Sequence, residues 1–73
     1  MQEKSKLTLE DAMIIILKRQ GPTHYAELTL LIGKMGLWLR PKDGQYPKKE
    51  QVHVRASRDS RFDIKYKGIV YLK

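Results

Sequence analysis

The first apolar pattern along the chain predicts a helix over residues 9–20. Its apolar positions lie three or four residues apart, as one buried helix face requires, and they are Leu9, Ala12, Met13, Ile16 and Leu17. The isoleucine triplet at 14–16 also suits a strand, but the flanking residues favour a helix. Thr8 and Asp11 approximate a capping box, and the Gly-Pro pair that follows is a stop signal.

A second helical pattern predicts a helix over residues 25–35. Its apolar face consists of Ala26, Leu28, Leu31, Ile32 and Met35. Gly36 suits the left-handed residue that often ends a helix. Gly33 weakens the helix by about 1 kcal/mol relative to alanine, and such a glycine commonly lets a neighbour pack closely. The preceding Pro-Thr-His-Tyr segment is long enough only for a bridge or a helix lead-in.

A third helix is predicted over residues 47–59, after the loop RPKDGQYP. Pro47 suits the first turn of this helix, because its missing N–H is not needed there. Residues 62–72 then alternate between apolar and polar on both sides of a Lys-Gly turn, which predicts a β-hairpin. The fold class is therefore mainly α with a small hairpin. The element order predicts a winged helix-turn-helix: three helices followed by a two-stranded wing.

The length and composition of the chain agree with one small domain. Its 73 residues can bury a single modest core. We expect residues 8–73 to form this domain and residues 1–7 to be a flexible N-terminus. The chain has no cysteine, and its two histidines lack the spacing of zinc ligands. No metal, cofactor or small-molecule substrate is expected.

The N-terminal sequence does not have the plan of a signal peptide, and the longest apolar run, AMIIIL, is too short to span a membrane. We therefore expect an intracellular domain, in the cytoplasm and nucleoid of a bacterium or in the nucleus of a eukaryote.

Basic charge is concentrated in the C-terminal half. Residues 1–39 contain five basic and four acidic residues, whereas residues 40–73 contain ten basic and four acidic ones. A one-sided basic surface is typical of proteins that bind nucleic acid, an anionic membrane or an acidic protein. Ordinary solubility charge is the alternative, but the uneven distribution favours a polyanion. A membrane ranks last, because no predicted helix combines a basic face with a large exposed apolar one.

Several short motifs, taken in order, resemble the HARE-HTH family. They are Gly-Pro-x-His-Tyr before the second helix, Gly-Leu-Trp after it, the Pro-initiated third helix with Val52, Arg55 and Arg58, and the Phe-to-Gly-to-Leu hairpin. This family is a winged helix-turn-helix module of Asx-like chromatin proteins, also found fused to restriction endonucleases and other bacterial proteins. The resemblance covers nearly the whole chain. It implies DNA binding and, less firmly, the reading of modified DNA or chromatin.

One position departs from this family pattern. Tyr46 stands before Pro47, where the family tends to have a threonine. A threonine caps a helix better than a tyrosine does. The departure affects the predicted start of the third helix and leaves the predicted fold unchanged.

At about 100° per residue, the third helix divides into a core stripe and an outward face. Val52 and Ala56 are predicted to face the core. The candidate base-reading residues lie outward or to one side, and they are Gln51, His53, Val54 and Ser57. Recognition helices use such polar groups to reach base edges while cations hold phosphates. Val54 suits a thymine methyl group, but it also suits packing on the wing or simple exposure.

Six cations are candidate phosphate contacts. They are Lys48, Lys49, Arg58, Arg61, Lys65 and Lys67. The first two oppose the helix dipole at the start of the third helix, so folding alone does not explain them. The two arginines suit the C-terminal end of a helix as well as a phosphate. The two lysines of the wing also suit protection of a sheet edge.

Other polar and aromatic residues are expected to be structural. Arg55 flanks the core stripe, so an ion pair with an acidic residue of the first two helices is favoured over a DNA contact; the candidates are Glu10, Asp11 and Glu27. His24 is expected to be packed or hydrogen-bonded, and Trp38 and Leu39 to anchor the core. Packing in the core or wing is expected for three tyrosines, Tyr25, Tyr66 and Tyr71.

Catalysis is not expected within these residues. His53 and Ser57 lie one helical turn apart on an exposed face, without an oxyanion cradle, and the chain has neither a phosphate loop nor a run of metal ligands. A catalytic domain could instead be fused to the chain.

Two functions follow from these patterns. The first is binding of double-stranded DNA, with the third helix in the major groove and the wing on the backbone, within a larger transcription, chromatin or restriction-type protein. The alternative is a protein-interaction module of a transcription complex, similar to the amino-terminal domain of the bacterial RNA polymerase delta subunit. The alternative predicts an exposed apolar patch near Trp38 and Leu39, together with weak DNA binding.

Overall fold

A computed structural model describes residues 7–73 of the chain. Apart from Leu7, the predicted flexible N-terminus over residues 1–7 lies outside the described residues. The elements in chain order are α1 (Leu9–Gln20), β1 (Thr23–His24), α2 (Tyr25–Lys34), α3 (Lys49–Arg58), β2 (Phe62–Lys65) and β3 (Ile69–Leu72). The three predicted helices and the predicted hairpin are thus present.

The sheet has three antiparallel strands in the order β1-β3-β2, so the prediction of a two-stranded sheet was wrong. β3 is central. It pairs with β2 across the hairpin and with β1 through Thr23 opposite Val70 and His24 opposite Ile69. The short segment before α2 is drawn into the sheet because the free edge of β3 offers backbone groups that need partners.

The core is built from one face of each helix and the inner face of the hairpin. Its buried residues are Leu9, Ala12, Met13, Ile16, Leu17, Leu28, Ile32, Val52, Ala56, Phe62 and Val70. The predicted apolar face of α1 and the predicted core stripe of α3 are therefore confirmed. Trp38 packs against this core, as predicted. Leu39 does not: it is 42% exposed, because the chain has already turned into the surface loop.

The capping box predicted at the start of α1 is confirmed. The Asp11 backbone N–H donates to Thr8 Oγ1 at 3.1 Å, and the Thr8 N–H donates to Asp11 Oδ2 at 3.2 Å. Gly21 follows the helix with a φ of 86°, which only glycine adopts freely. These local signals explain why the predicted and observed bounds of α1 agree.

Tyr46 packs on Gly33, which explains the glycine inside α2. A Cβ atom at position 33 would lie 2.5 Å from Cγ and Cδ2 of the Tyr46 ring. The close packing predicted for this glycine is thus confirmed, and the partner is the loop that leads to α3. Tyr46 thereby holds this loop on α2.

α3 begins two residues later than predicted. Lys48 is its N-cap and Pro47 precedes the cap as a buried residue. The Lys48 backbone N–H donates to Gln51 Oε1 at 2.9 Å, so the side chain of Gln51 satisfies the backbone N–H of the N-cap residue. Position 46 is not the capping position, and a threonine there would not cap this helix.

Candidate nucleic-acid interface

The outward face of α3 is where the helical angle predicts it. His53, Val54, Ser57 and Arg58 are exposed, whereas the core stripe on the opposite side is buried. Lys49, His53 and Val54 line one shallow concavity together with Tyr25 of α2. The structure therefore brings three of the predicted site residues against the start of α2.

Two of the four candidate base-reading residues already bond to the backbone of their own helix. Gln51 is half-buried, and its Oε1 accepts from the Lys48 N–H, which leaves its amide NH₂ as a donor. The Ser57 hydroxyl donates to the His53 carbonyl at 2.9 Å. His53 and Val54 are the candidates most available to a ligand.

Two of the six candidate phosphate contacts are ion-paired with acidic neighbours. Arg61 holds Asp59 with its Nε at 3.0 Å from Oδ1 and its Nη2 at 2.7 Å from Oδ2. Hydrogen bonds from the Arg61 side chain and from its backbone N–H lower the pKa of Asp59 from 3.8 to about 2. Lys65 Nζ lies 3.5 Å from Asp63 Oδ2. Both pairs link residues that are two positions apart in the chain. The Asp59–Arg61 pair lies just after α3, and the Asp63–Lys65 pair lies on β2.

The other four candidates form no ion pair within residues 7–73; they are Lys48, Lys49, Arg58 and Lys67. The two lysines lie at the N-terminal end of α3, the arginine is its last residue, and Lys67 lies in the turn of the hairpin. Unpaired cations thus border α3 at both ends and extend to the hairpin.

Arg55 makes the structural ion pair that its position predicts. Its Nη1 donates to Glu10 Oε2 at 3.0 Å, which joins α3 to the first turn of α1. Of the three acidic partners considered from the sequence, Glu10 is the one in contact. The pair is partly exposed, so its contribution to stability is small, about 1 kcal/mol or less.

His24 connects the start of α2 to the hairpin tip, which we define as residues 66–68. Its Nδ1 accepts from the Ala26 backbone N–H at 3.1 Å and thereby caps α2. Because Nδ1 accepts, the proton lies on Nε2, which donates to the Lys67 carbonyl at 3.2 Å. The expected hydrogen-bonded role of His24 is confirmed. Its capping role was missed, because Ser, Thr, Asp and Asn are the usual N-cap residues.

The backbone of Gly68 reinforces this connection. The Tyr25 N–H donates to the Gly68 carbonyl at 2.9 Å. A Cβ atom at position 68 would lie 2.8 Å from His24 Nε2 and 2.8 Å from Tyr25 Cδ1. Only glycine therefore allows the hairpin tip to approach α2 this closely.

Three rings continue the connection from the hairpin tip to α3. The ring of His24 stacks on Tyr25 with 4.6 Å between centroids, and Tyr25 meets His53 edge-on at 5.0 Å. The outward face of α3 and the hairpin tip are thus parts of one continuous surface. No sequence pattern indicates this path, because it joins residues far apart in the chain.

Tyr66 is 76% exposed, so it does not pack in the core, and of its predicted packing in the core or wing there is only a contact with Tyr71 of the hairpin. The alternating pattern of β2 ends at Lys65, and Tyr66 belongs to the turn, with a φ of 51°. Its ring centroid lies 6.2 Å from that of Tyr71 on the outer face of β3. Tyr25 and Tyr71 are both half-buried.

Another groove lies between the N-terminal end of α1 and the loop after α2, with a volume of about 750 Å³. Its lining is mixed: Thr8 and Arg55 are polar, and the apolar residues are Leu7, Leu9, Leu37, Trp38, Leu39 and Pro41. Leu39 is exposed within it. This groove lies where the protein-interaction alternative predicts an apolar patch.

Within the described part of the chain, no three His, Asp or Glu side chains are grouped as metal ligands, and none of the helices of residues 7–73 is long and apolar enough to cross a membrane. No family model, curated protein or solved structure matches this chain.

Proposed function

We propose that the chain is a winged-helix module that binds double-stranded DNA. In this proposal α2 and α3 form the helix-turn-helix, α3 enters the major groove, and the β2–β3 hairpin is the wing that lies along the backbone. The main support is the placement, at both ends of α3 and at the hairpin tip, of cations that form no ion pair with any of residues 7–73. The sequence resemblance to HARE-HTH modules supports the same function.

The cations define a charge pattern suited to phosphates on both sides of a groove. Lys48 and Lys49 lie at one end of the exposed face of α3 and Arg58 at the other. Between them, His53 and Val54 are free to meet base edges or a thymine methyl group. Phosphate contacts of this kind fix the register of a helix in the groove.

The proposal predicts how strongly salt weakens binding. Each phosphate neutralised on B-DNA contributes about −0.9 to the slope of log K against log salt. Contacts from Lys48, Lys49, Arg58 and Lys67 give a slope of about −3.6. If Arg61 exchanged Asp59 for a phosphate, the slope would steepen to about −4.5.

An NMR titration with a short DNA duplex, combined with fluorescence anisotropy at several salt concentrations, tests the proposal. The expected amide shifts fall in residues 48–61 and 65–68, and affinity falls steeply with salt. Binding that is independent of salt, or shifts spread evenly over the domain, would contradict it.

The second candidate function is a protein-interaction module of a transcription complex, and the groove beside Trp38 and Leu39 favours it. In that case a DNA duplex produces no localised shifts on α3. A Leu39→Ser variant separates the two functions, because it changes the groove without changing any candidate DNA contact. It should bind DNA as the wild type does if the first proposal holds.

In either case we infer a binding module of a larger intracellular protein in which any catalysis belongs to a fused domain. The groove adjoins α3, because Arg55 lines it and also lies beside Val54 and Arg58 of the exposed face.

A further inference from the structure

The residues at the hairpin tip are not those that its turn favours. Tyr66 and Lys67 have φ values of 51° and 62°, and the Gly68 N–H donates to the Lys65 carbonyl at 3.2 Å. This is the geometry of a tight hairpin turn with two left-handed residues, which strongly favours Asn-Gly or Asp-Gly. An aromatic and a lysine side chain crowd the backbone there. Folding alone therefore does not account for these two residue types.

The Tyr66 ring is the most exposed large apolar or aromatic side chain of the described residues, and a lysine stands on either side of it in the chain. Lys67 follows it directly, and Lys65 Nζ lies 5.9 Å from the centroid of the neighbouring Tyr71 ring. Exposed aromatic rings among cations are the pattern by which proteins hold unpaired nucleotides: bases stack on the rings and phosphates meet the cations.

Stacking on Tyr66 requires a base whose face is free. Inside a duplex, neighbouring base pairs cover both faces of every base, whereas an unpaired base next to a duplex end offers its π face. The hairpin tip is fixed relative to α3 through His24, Tyr25 and Gly68. A duplex that carries an unpaired base offers a paired part for α3 and a free base face for Tyr66.

We propose that Tyr66 stacks on an unpaired base beside the duplex that α3 binds, with Lys67 on the adjoining phosphate. This inference rests on the proposed function and adds a preferred substrate to it: a duplex with a single-stranded extension rather than a blunt one. Any paired duplex still binds through α3, but without the contact at the hairpin tip.

The test compares a short blunt duplex with the same duplex carrying a single-stranded overhang. Fluorescence anisotropy should show the overhang duplex bound about 5- to 150-fold more tightly, which corresponds to ~1–3 kcal/mol for one stacked base. A 2-aminopurine base in the overhang should lose fluorescence on binding, because stacking quenches it.

Two substitutions at one position separate stacking from folding. Tyr66→Phe keeps the ring and should keep the preference for the overhang. Tyr66→Asn places a residue that the turn favours at the same φ, so the fold is retained while the ring is lost. This variant should bind blunt and overhang duplexes equally. As a matched control, Lys49→Gln should weaken both duplexes by the same factor.

The results distinguish failure of the stacking site from failure of DNA binding by α3. Equal wild-type affinity for the blunt and overhang duplexes would overturn the inference and leave DNA binding by α3 intact. So would a preference that Tyr66→Asn retains or that Tyr66→Phe loses. Binding to an isolated single strand that depends on Tyr66, without binding to a duplex, would support the stacking site and overturn the proposed role of α3. Absence of binding to every probe would overturn both.

Discussion

Replacing Gly68 by alanine tests whether the hairpin tip is held against α2. The new Cβ atom would lie 2.8 Å from His24 Nε2 and 2.8 Å from Tyr25 Cδ1, and the residue would keep a φ of 119°. One strained φ costs about 1–3 kcal/mol. If the tip moves away, the bonds to the Lys67 and Gly68 carbonyls are lost as well, at about 1 kcal/mol each.

The lower end of these terms, with about 1 kcal/mol of strain, gives an expected destabilisation by Gly68→Ala of at least about 3 kcal/mol, and urea or thermal unfolding measures it. In a domain of this size each 1 kcal/mol lowers Tm by roughly 4–8 °C, so the variant should melt roughly 12–24 °C below the wild type. Such a loss is a large part of the total, which is of the order of 4–11 kcal/mol at ordinary stability per residue.

Gly44→Ala is the matched control for this variant. Gly44 has a φ of 71°, but a Cβ atom there has nothing within 4 Å. It should cost about 1 kcal/mol from backbone strain alone. If Gly68→Ala is no more destabilising than Gly44→Ala, the hairpin tip is not held by His24 and Tyr25, and the argument for one continuous surface fails.

Three further predictions concern charge and packing. Lys49→Gln should reduce the slope of log K against log salt by about 0.9, as measured by anisotropy, whereas Lys18→Gln on α1 should leave it unchanged. The pKa of Asp59 is lowered by folding, so its stabilising effect is complete above the unfolded value of 3.8 and is lost as pH falls toward 2. Urea unfolding against pH should show a smaller loss in Asp59→Asn than in the wild type; some loss remains, because a hydrogen bond from Arg40 lowers the pKa of Asp43 as well. Gly33→Ala should destabilise the wild type, but in a Tyr46→Ala background it should stabilise by up to about 1 kcal/mol, as thermal unfolding can show.

The helices could be predicted because their signals are local. The capping box of α1 and the Gly-Pro stop signal lie within a few residues of the ends they define. β1 could not be predicted in the same way, because two residues carry no periodicity and their strand exists only where β3 offers its edge. The role of Tyr46 was missed for the same reason, since its partner Gly33 lies in another element.

The sequence predicted which face of α3 points outward, but it did not predict the ion pairs that nearby cations form. The angle along α3 placed its outward face correctly, and the flanking position of Arg55 indicated an acidic partner. The pairs Asp59–Arg61 and Asp63–Lys65 were not anticipated. Asp63 and Lys65 are two positions apart on β2 and so share one side, which was an available signal. Asp59 and Arg61 meet in the turn after α3, where the Arg61 N–H also donates to Asp59 Oδ1.

These pairings make the positive charge more localised than the sequence suggests. Three of the four acidic residues in residues 40–73 pair with cations of the same segment, and Arg55 pairs with Glu10. These ion pairs neutralise cations in the loop before α3 and near both ends of β2. Glu50 is the one acidic residue of that segment without an ion pair in the described part, and it lies on α3 beside Lys49. Six cations of that segment form no ion pair in the described part: four lie on α3 and at the hairpin tip, whereas Lys42 and Lys73 lie elsewhere. The cations of α3 and the hairpin tip are thus the largest group left for a polyanion, so their placement rather than the net charge of +7 indicates where a ligand binds.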